Sequence, residues 1–225
     1  MKFTLDSNSL RSRFSTKHCL AVGLLVFANL LLCHVGLSQE KTSAKRILAI
    51  GDSLTFGYDV AKSNSWPAML EKKLQDSGHP ELKVVNAGMS GATSAFGIST
   101  IKFHLKRYKP DLVIYALGAN DGLRGLPPES TEANMREALK FAKNKNIKIL
   151  LLGMRAPPNY GKKFPKNFEQ AFERTAKDLD LPFIPFFLEG VAGRPELNLS
   201  DGIHPNPKGY EIITENIYKA VVKIL

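Results

Sequence analysis

Arg46-Ile47-Leu48-Ala49-Ile50-Gly51-Asp52-Ser53-Leu54-Thr55-Phe56-Gly57-Tyr58 is the stretch on which the fold turns. Residues 46–50 form an aliphatic run without polar alternation, as in a strand buried on both faces. Gly51 breaks the run, and Asp52-Ser53 then stand on a strand-to-helix turn. Working outward, similar β-branched or aliphatic runs recur at residues 82–86, 112–117, 147–152 and 182–187. Helical spacing fills the segments between and after them, at 66–76, 95–108, 132–145, 167–180 and 207–222. This alternation predicts an α/β fold: a three-layer α/β/α sandwich around a five-stranded parallel sheet. No repeat, low-complexity tract or linker interrupts it after residue 45, so residues 46–225 read as one domain.

In such sheets the ligand crevice lies beyond the carboxyl ends of the strands. The residues expected there are Gly51-Asp52-Ser53, Ala87-Gly88-Met89-Ser90-Gly91, Gly118-Ala119-Asn120-Asp121, Gly153-Met154-Arg155, and the stretch reaching Asp201 and His204. A serine hydroxyl becomes a nucleophile only when a positioned base takes its proton, and histidine is the side chain that titrates near neutrality. Of the five histidines, His18 and His34 fall in the N-terminal leader, and His79 and His104 read as surface or packing residues. His204 follows the last strand and precedes the last helix. Asp201, three residues before it, can fold back onto the imidazole and fix its tautomer. Donors for an oxyanion are available from the backbone N–H groups of Ser53 and Gly91 and the side-chain amide of Asn120. Each has a structural alternative: Ser53 as a helix cap, Asn120-Asp121 as a turn, Asp201 and His204 as a pair ahead of Pro205. Asp52 reads as a structural hydrogen-bonding residue. Arg124 and Arg155 read equally as anion grips or as structural links.

The first residues belong to another category. Lys2, Arg11, Arg13 and Lys17 lead an apolar run over 19–32, and Gly36-Leu37-Ser38 offers small residues for a peptidase. Residues 1–38 are expected to be a signal peptide and 39–45 a short linker. Membrane anchoring by residues 19–37 is the alternative, and lipidation of Cys33 a weaker one because Leu32 is bulky. Cleavage removes both cysteines, Cys19 and Cys33, and leaves about +7 of the formal +10 charge. An exported chain without cysteine suits a bacterial periplasm or secretion. Two cysteines also exclude a disulfide scaffold and a four-thiolate metal site. The lysines are scattered, without interleaved aromatics, which argues against nucleic acid and leaves open a weak contact with an anionic membrane surface.

Gly51-Asp52-Ser53-Leu54, Ser90-Gly91, Gly118-Ala119-Asn120-Asp121 and Asp201-Gly202-Ile203-His204-Pro205 resemble, in order, the four blocks of the GDSL, or SGNH, hydrolase family. Ser65-Trp66-Pro67-Ala68-Met69-Leu70, Asn120-Asp121-Gly122-Leu123-Arg124-Gly125, Pro158-Asn159-Tyr160-Gly161 and Pro185-Phe186-Phe187-Leu188-Glu189 resemble its thioesterase I / lysophospholipase / arylesterase branch. The resemblance implies a flavodoxin-like sandwich, with Ser53 as nucleophile, His204 as base and Asp201 as orienting acid. It also implies an oxyanion hole of Ser53, Gly91 and Asn120, and neither cofactor nor metal. Ala92 stands where relatives often carry an acid, which puts substrate preference or loop rigidity in question. Leu123, Leu126, Met154, Pro157, Pro158 and Tyr160 are expected to line an apolar groove. The implied enzyme is a monomeric carboxylic ester hydrolase for small-molecule or lipid esters: lysophospholipids, short- to medium-chain or aryl esters, and acyl thioesters. The alternatives are a carbohydrate O-deacetylase and a non-catalytic lipid-binding protein on the same fold.

Overall fold

The computed structural model describes residues 45–225. The expected signal peptide, the alternative anchor over 19–37, both cysteines and the linker up to residue 44 lie outside the described residues.

Five parallel strands, β1 Arg46–Gly51, β2 Lys83–Gly88, β3 Leu112–Ala116, β4 Lys148–Leu152 and β5 Phe183–Ile184, form one sheet in the order β2-β1-β3-β4-β5. The helices are α1 Ser53–Phe56, α2 Trp66–Asp76, α3 Gly97–Tyr108, α4 Ala119–Leu123, α5 Pro128–Lys143, α6 Lys163–Asp178 and α7 Pro207–Val221. The crossover connections put α2 against α7 on one face of the sheet, while α5 packs between α3 and α6 on the other. The central strands β1 and β3 are buried almost throughout, which is why their sequences show no polar alternation. Strand order reverses at β1, between β2 and β3, so the loops leaving β1 and β3 flank the crevice of the sheet's switch point.

The expected architecture is present, and the differences lie at its margins. The fifth strand pairs over two residues instead of six, because Pro182 and Pro185 bracket Phe183-Ile184 and a proline has no N–H for the ladder. Strand β2 is an edge strand with Lys83 and Asn86 exposed, not a doubly covered one. Helices α5 and α6 begin four residues earlier than their amphipathic pattern; the first turn of α5 opens with Pro128, whose missing N–H costs nothing there. Two short helices, α1 and α4, stand outside the five segments in which helical spacing was read.

Candidate active site

The serine turn is built by the residues that leave β1. A Cβ at Gly51 would overlap Thr55 Oγ1, so only glycine lets the strand pass this close to α1. Asp52 is fully buried and caps α1, its Oδ1 accepting the Leu54 N–H at 3.0 Å. Its other oxygen has no partner among the described residues. Burial, partly offset by the Leu54 bond and by His204, pushes the Asp52 carboxyl up to about 7. From the opposite side, Tyr210 on α7 donates its hydroxyl to the Leu54 carbonyl at 3.0 Å, and Trp66 on α2 donates its indole N–H to Thr55 Oγ1 at 3.4 Å. The turn carrying Ser53 is therefore gripped by two helices and its own cap.

His204 reaches the serine across 151 residues of chain, its Nε2 2.8 Å from Ser53 Oγ. Its Nδ1 lies 2.6 Å from Asp201 Oδ2. Asp201 Oδ1 accepts the backbone N–H groups of Ile203 and His204, both at 2.9 Å. These donors, the His204 N–H foremost, hold the Asp201 carboxyl down at about 2. The loop is closed by the Leu199 N–H bonding the His204 carbonyl at 2.7 Å and by a bridge between Asn198 and Pro205. Asn206 then caps α7 through the N–H groups of Lys208 and Gly209. Tyr58 lies over the imidazole at 4.5 Å between ring centroids, a contact that spacing in the sequence did not reveal.

Gly91 lies beyond the end of β2, and Asn120 sits on α4 after β3. The two are joined: Asn120 Nδ2 donates to the Ala92 carbonyl at 3.0 Å, and Arg124 Nη2 donates to the Gly91 carbonyl at 3.1 Å. Gly91 has φ +78°, a conformation that glycine adopts without strain. Among the described residues the backbone N–H groups of Ser53 and Gly91 have no protein acceptor. Asp121, buried and adjacent, accepts the Ser94 N–H at 2.8 Å, the Ser94 hydroxyl, and Thr131 Oγ1 at 3.1 Å. It ties the loop after β2 to α5, a structural role that the sequence reading did not assign to it.

Of the six apolar residues expected in a groove, Leu123, Leu126, Pro158 and Tyr160 are exposed and Pro157 is half-buried. The Tyr160 hydroxyl donates to the Leu123 carbonyl at 2.8 Å, and its ring covers Gly125 so closely that a Cβ there would lie 2.5 Å from it. Met154 is the exception: it is buried among the core side chains at the end of β4 and offers little surface to a ligand. Below this wall, Tyr160, Phe164, Phe168 and Phe172 stack in sequence, and Phe168 and Phe172 press against Gly122 and Gly118. The four-residue spacing of the three phenylalanines was the available signal for that support. A cavity of about 730 Å³ opens elsewhere, between α2 and the edge of β2, and neither Ser53 nor His204 lines it. Arg155 stacks on Phe186 at 4.4 Å, within 4.0 Å of Glu169 and Glu189, as a structural link would. His79 lies 3.9 Å from Glu81, and His104 stacks on Tyr108.

Comparisons with known proteins point to one family. Residues 49–212 match the GDSL-like lipase/acylhydrolase family. An arylesterase of Vibrio mimicus is 35% identical over 189 residues, covering 84% of this chain and 94% of the relative. A thioesterase 1/protease 1/lysophospholipase L1 of Escherichia coli K12 is 38% identical over 179 residues, covering 80% and 84%. The crystal structure of TesA superposes with a TM-score of 0.77 at 36% identity, over 80% of this chain and all of that one. The chain belongs to the GDSL-like lipase/acylhydrolase family.

Proposed function

We propose that this chain is a serine ester hydrolase in which Ser53 is the nucleophile, His204 the general base and Asp201 the group that orients it. The observation that carries the reading is the unbroken contact from Ser53 Oγ through His204 to Asp201, at 2.8 and 2.6 Å. His204 takes the serine proton as Oγ attacks the ester carbonyl carbon. The oxyanion that forms is held by the N–H groups of Ser53 and Gly91 and by the Asn120 amide hydrogen not committed to Ala92. Collapse expels the alcohol, which leaves with the proton from His204. A water deprotonated by the same imidazole then attacks the acyl-serine, releasing the carboxylic acid and restoring the hydroxyl. Asp201 is held well below the usual carboxylate range, so it remains an anion throughout and favours the imidazolium that forms twice in the cycle.

The substrates are lysophospholipids and short- to medium-chain or aryl esters, with acyl thioesters as a further class. The names of the relatives support this range, as does the exposed apolar wall of Leu123, Leu126 and Tyr160 beside α4. The enzyme works as an exported monomer with at most weak attraction to anionic membrane surfaces; the basic leader and its apolar run support export, and the positive charge of the chain supports that attraction. Hydrolysis of p-nitrophenyl acetate, butyrate, octanoate and palmitate by the protein and its Ser53→Ala variant tests the reading. The expected result is a rate maximum at short or medium chains and a loss of about 10⁴-fold or more in kcat for the variant. Turnover confined to acetate points instead to an O-deacetylase. A wild type no faster than the variant leaves a binding protein.

A further inference from the structure

The loop that carries Gly91 is closed by its backbone, with the Met89 N–H on the Gly51 carbonyl and the Ala92 N–H on the Met89 carbonyl, both at 3.0 Å. Ala92 is buried, and among the described residues no side chain of residues 89–92 adds a hydrogen bond to the loop. Gly91 is exposed and in the left-handed region, Ala92 brings no polar atom, and Met89 and Ser90 are exposed. Two side chains of a different segment compensate. Asn120 and Arg124 stand four residues apart, one helical turn, at the start and just beyond the end of α4. They donate to consecutive carbonyls of the loop: Arg124 Nη2 to Gly91 at 3.1 Å, and Asn120 Nδ2 to Ala92 at 3.0 Å. Among the described residues no carboxylate pairs with Arg124, so that carbonyl is the acceptor its guanidinium has. The segment is anchored below by Asp121, one residue along from Asn120, through Ser94.

We infer that Arg124 is a positioning residue for ester hydrolysis: by clamping the Gly91 carbonyl to α4, it fixes the direction in which the Gly91 N–H meets the oxyanion. The inference rests on the proposed role of Gly91. The Gly91 carbonyl belongs to the Gly91–Ala92 peptide, whose N–H already bonds the Met89 carbonyl at 3.0 Å. The guanidinium on that peptide's oxygen, with the Asn120 amide on the next carbonyl, fixes the far side of Gly91 and so limits the rotation about that residue by which its own N–H can swing. An oxyanion donor works only when held in place before the charge develops, since reorientation during the reaction forfeits its advantage. Arg124 touches no reacting atom, so its removal is felt as lost transition-state stabilisation, with ester binding in the ground state largely intact.

The test uses the full chain with Arg124→Met and Arg124→Lys, read against p-nitrophenyl butyrate, against butylboronic acid as a mimic of the tetrahedral adduct, and by thermal melting. For Arg124→Met we expect kcat to fall about tenfold with KM within about twofold, the boronate to bind about tenfold more weakly, and the melting temperature to stay within about 2 °C. Arg124→Lys, which keeps a cationic donor on a long stem, is expected to recover part of both losses. Unchanged kcat and boronate affinity in Arg124→Met overturn the inference, as does a loss of kcat that comes with an equally large loss of stability and no rescue by lysine. A wild type that turns over no ester overturns the hydrolase reading and this inference together, whereas an active wild type with a fully active Arg124→Met overturns this inference alone.

Discussion

At the scale of single residues, the least expected feature is a buried carboxyl beside Ser53. Asp52 spends one oxygen on the Leu54 N–H and leaves the other unpartnered, and burial lifts its carboxyl to about 7 from an ordinary 3.8. The sign of the consequence is fixed by linkage. Between pH 3.8 and about 7 the unfolded chain ionises this group while the folded chain keeps it protonated, so folding becomes less favourable as pH rises and levels off above about 7. Asn at position 52 preserves an oxygen for the Leu54 N–H and never ionises. Urea unfolding at pH 5 and pH 8 is therefore expected to show Asp52→Asn gaining on the wild type with rising pH, by on the order of 2–3 kcal/mol at most. Parallel pH dependences of the two proteins sink the idea. Asp201 has the opposite sign: its carboxyl is held at about 2, so its contribution is present above the ordinary carboxylate range and is lost as pH falls toward 2. The two acids, one on each side of the serine–histidine contact, thus respond to pH in opposite directions because one is buried and the other is fed by backbone donors.

At the scale of elements, the exposed edge of the sheet is protected by side chains. In β2 the residues facing away from β1 are Val84, Asn86 and Gly88. Glu71 of α2 accepts the Val84 N–H at 2.7 Å, and Asn86 Oδ1 accepts the Gly88 N–H at 2.9 Å. The Asn86 amide also bonds the Thr55 carbonyl at 2.9 Å, so the same strand edge steadies α1 behind Ser53. Capping an edge amide removes a template for pairing with another chain. Glu71→Ala leaves the Val84 N–H without its partner and is expected to cost about 1 kcal/mol, or roughly 2–4 °C in melting temperature for a chain of this size. Glu71→Gln retains an acceptor and loses only the exposed pairing with Lys83 at 3.3 Å, so it should melt within about 1 °C of the wild type. Equal melting of the alanine and glutamine variants would mean that the cap contributes nothing. Neither change touches Ser53, His204 or Asp201, and ester turnover at 25 °C serves as the control.

At the scale of the whole molecule, what was legible in the sequence is what repeats or what is locally ordered. Continuous apolar runs marked β1, β3 and β4 because both faces of those strands are covered, and Asp201 and His204 were readable as a pair because three residues separate them. What escaped depends on contacts between distant segments. Nothing local to Tyr58 says that it lies over His204, nor to Arg124 that it holds Gly91, and the two prolines around Phe183-Ile184 shortened a strand that apolar content alone prolonged. The same principle gives an expectation for the N-terminal residues. The ladder of the sheet begins at Arg46, and Lys45 already contributes its carbonyl to the Lys83 N–H. The family match begins at residue 49, and every group assigned to the chemistry lies beyond it. The described core therefore contains the buried apolar side chains and the hydrogen bonds that hold the site. A chain starting at Gln39, the residue after the expected cleavage point, should thus fold with the full cooperative transition and hydrolyse p-nitrophenyl butyrate with kcat/KM within about twofold of the full-length protein. A soluble but inactive truncation, or one without a cooperative melt, would show that residues 1–38 contribute to the enzyme itself.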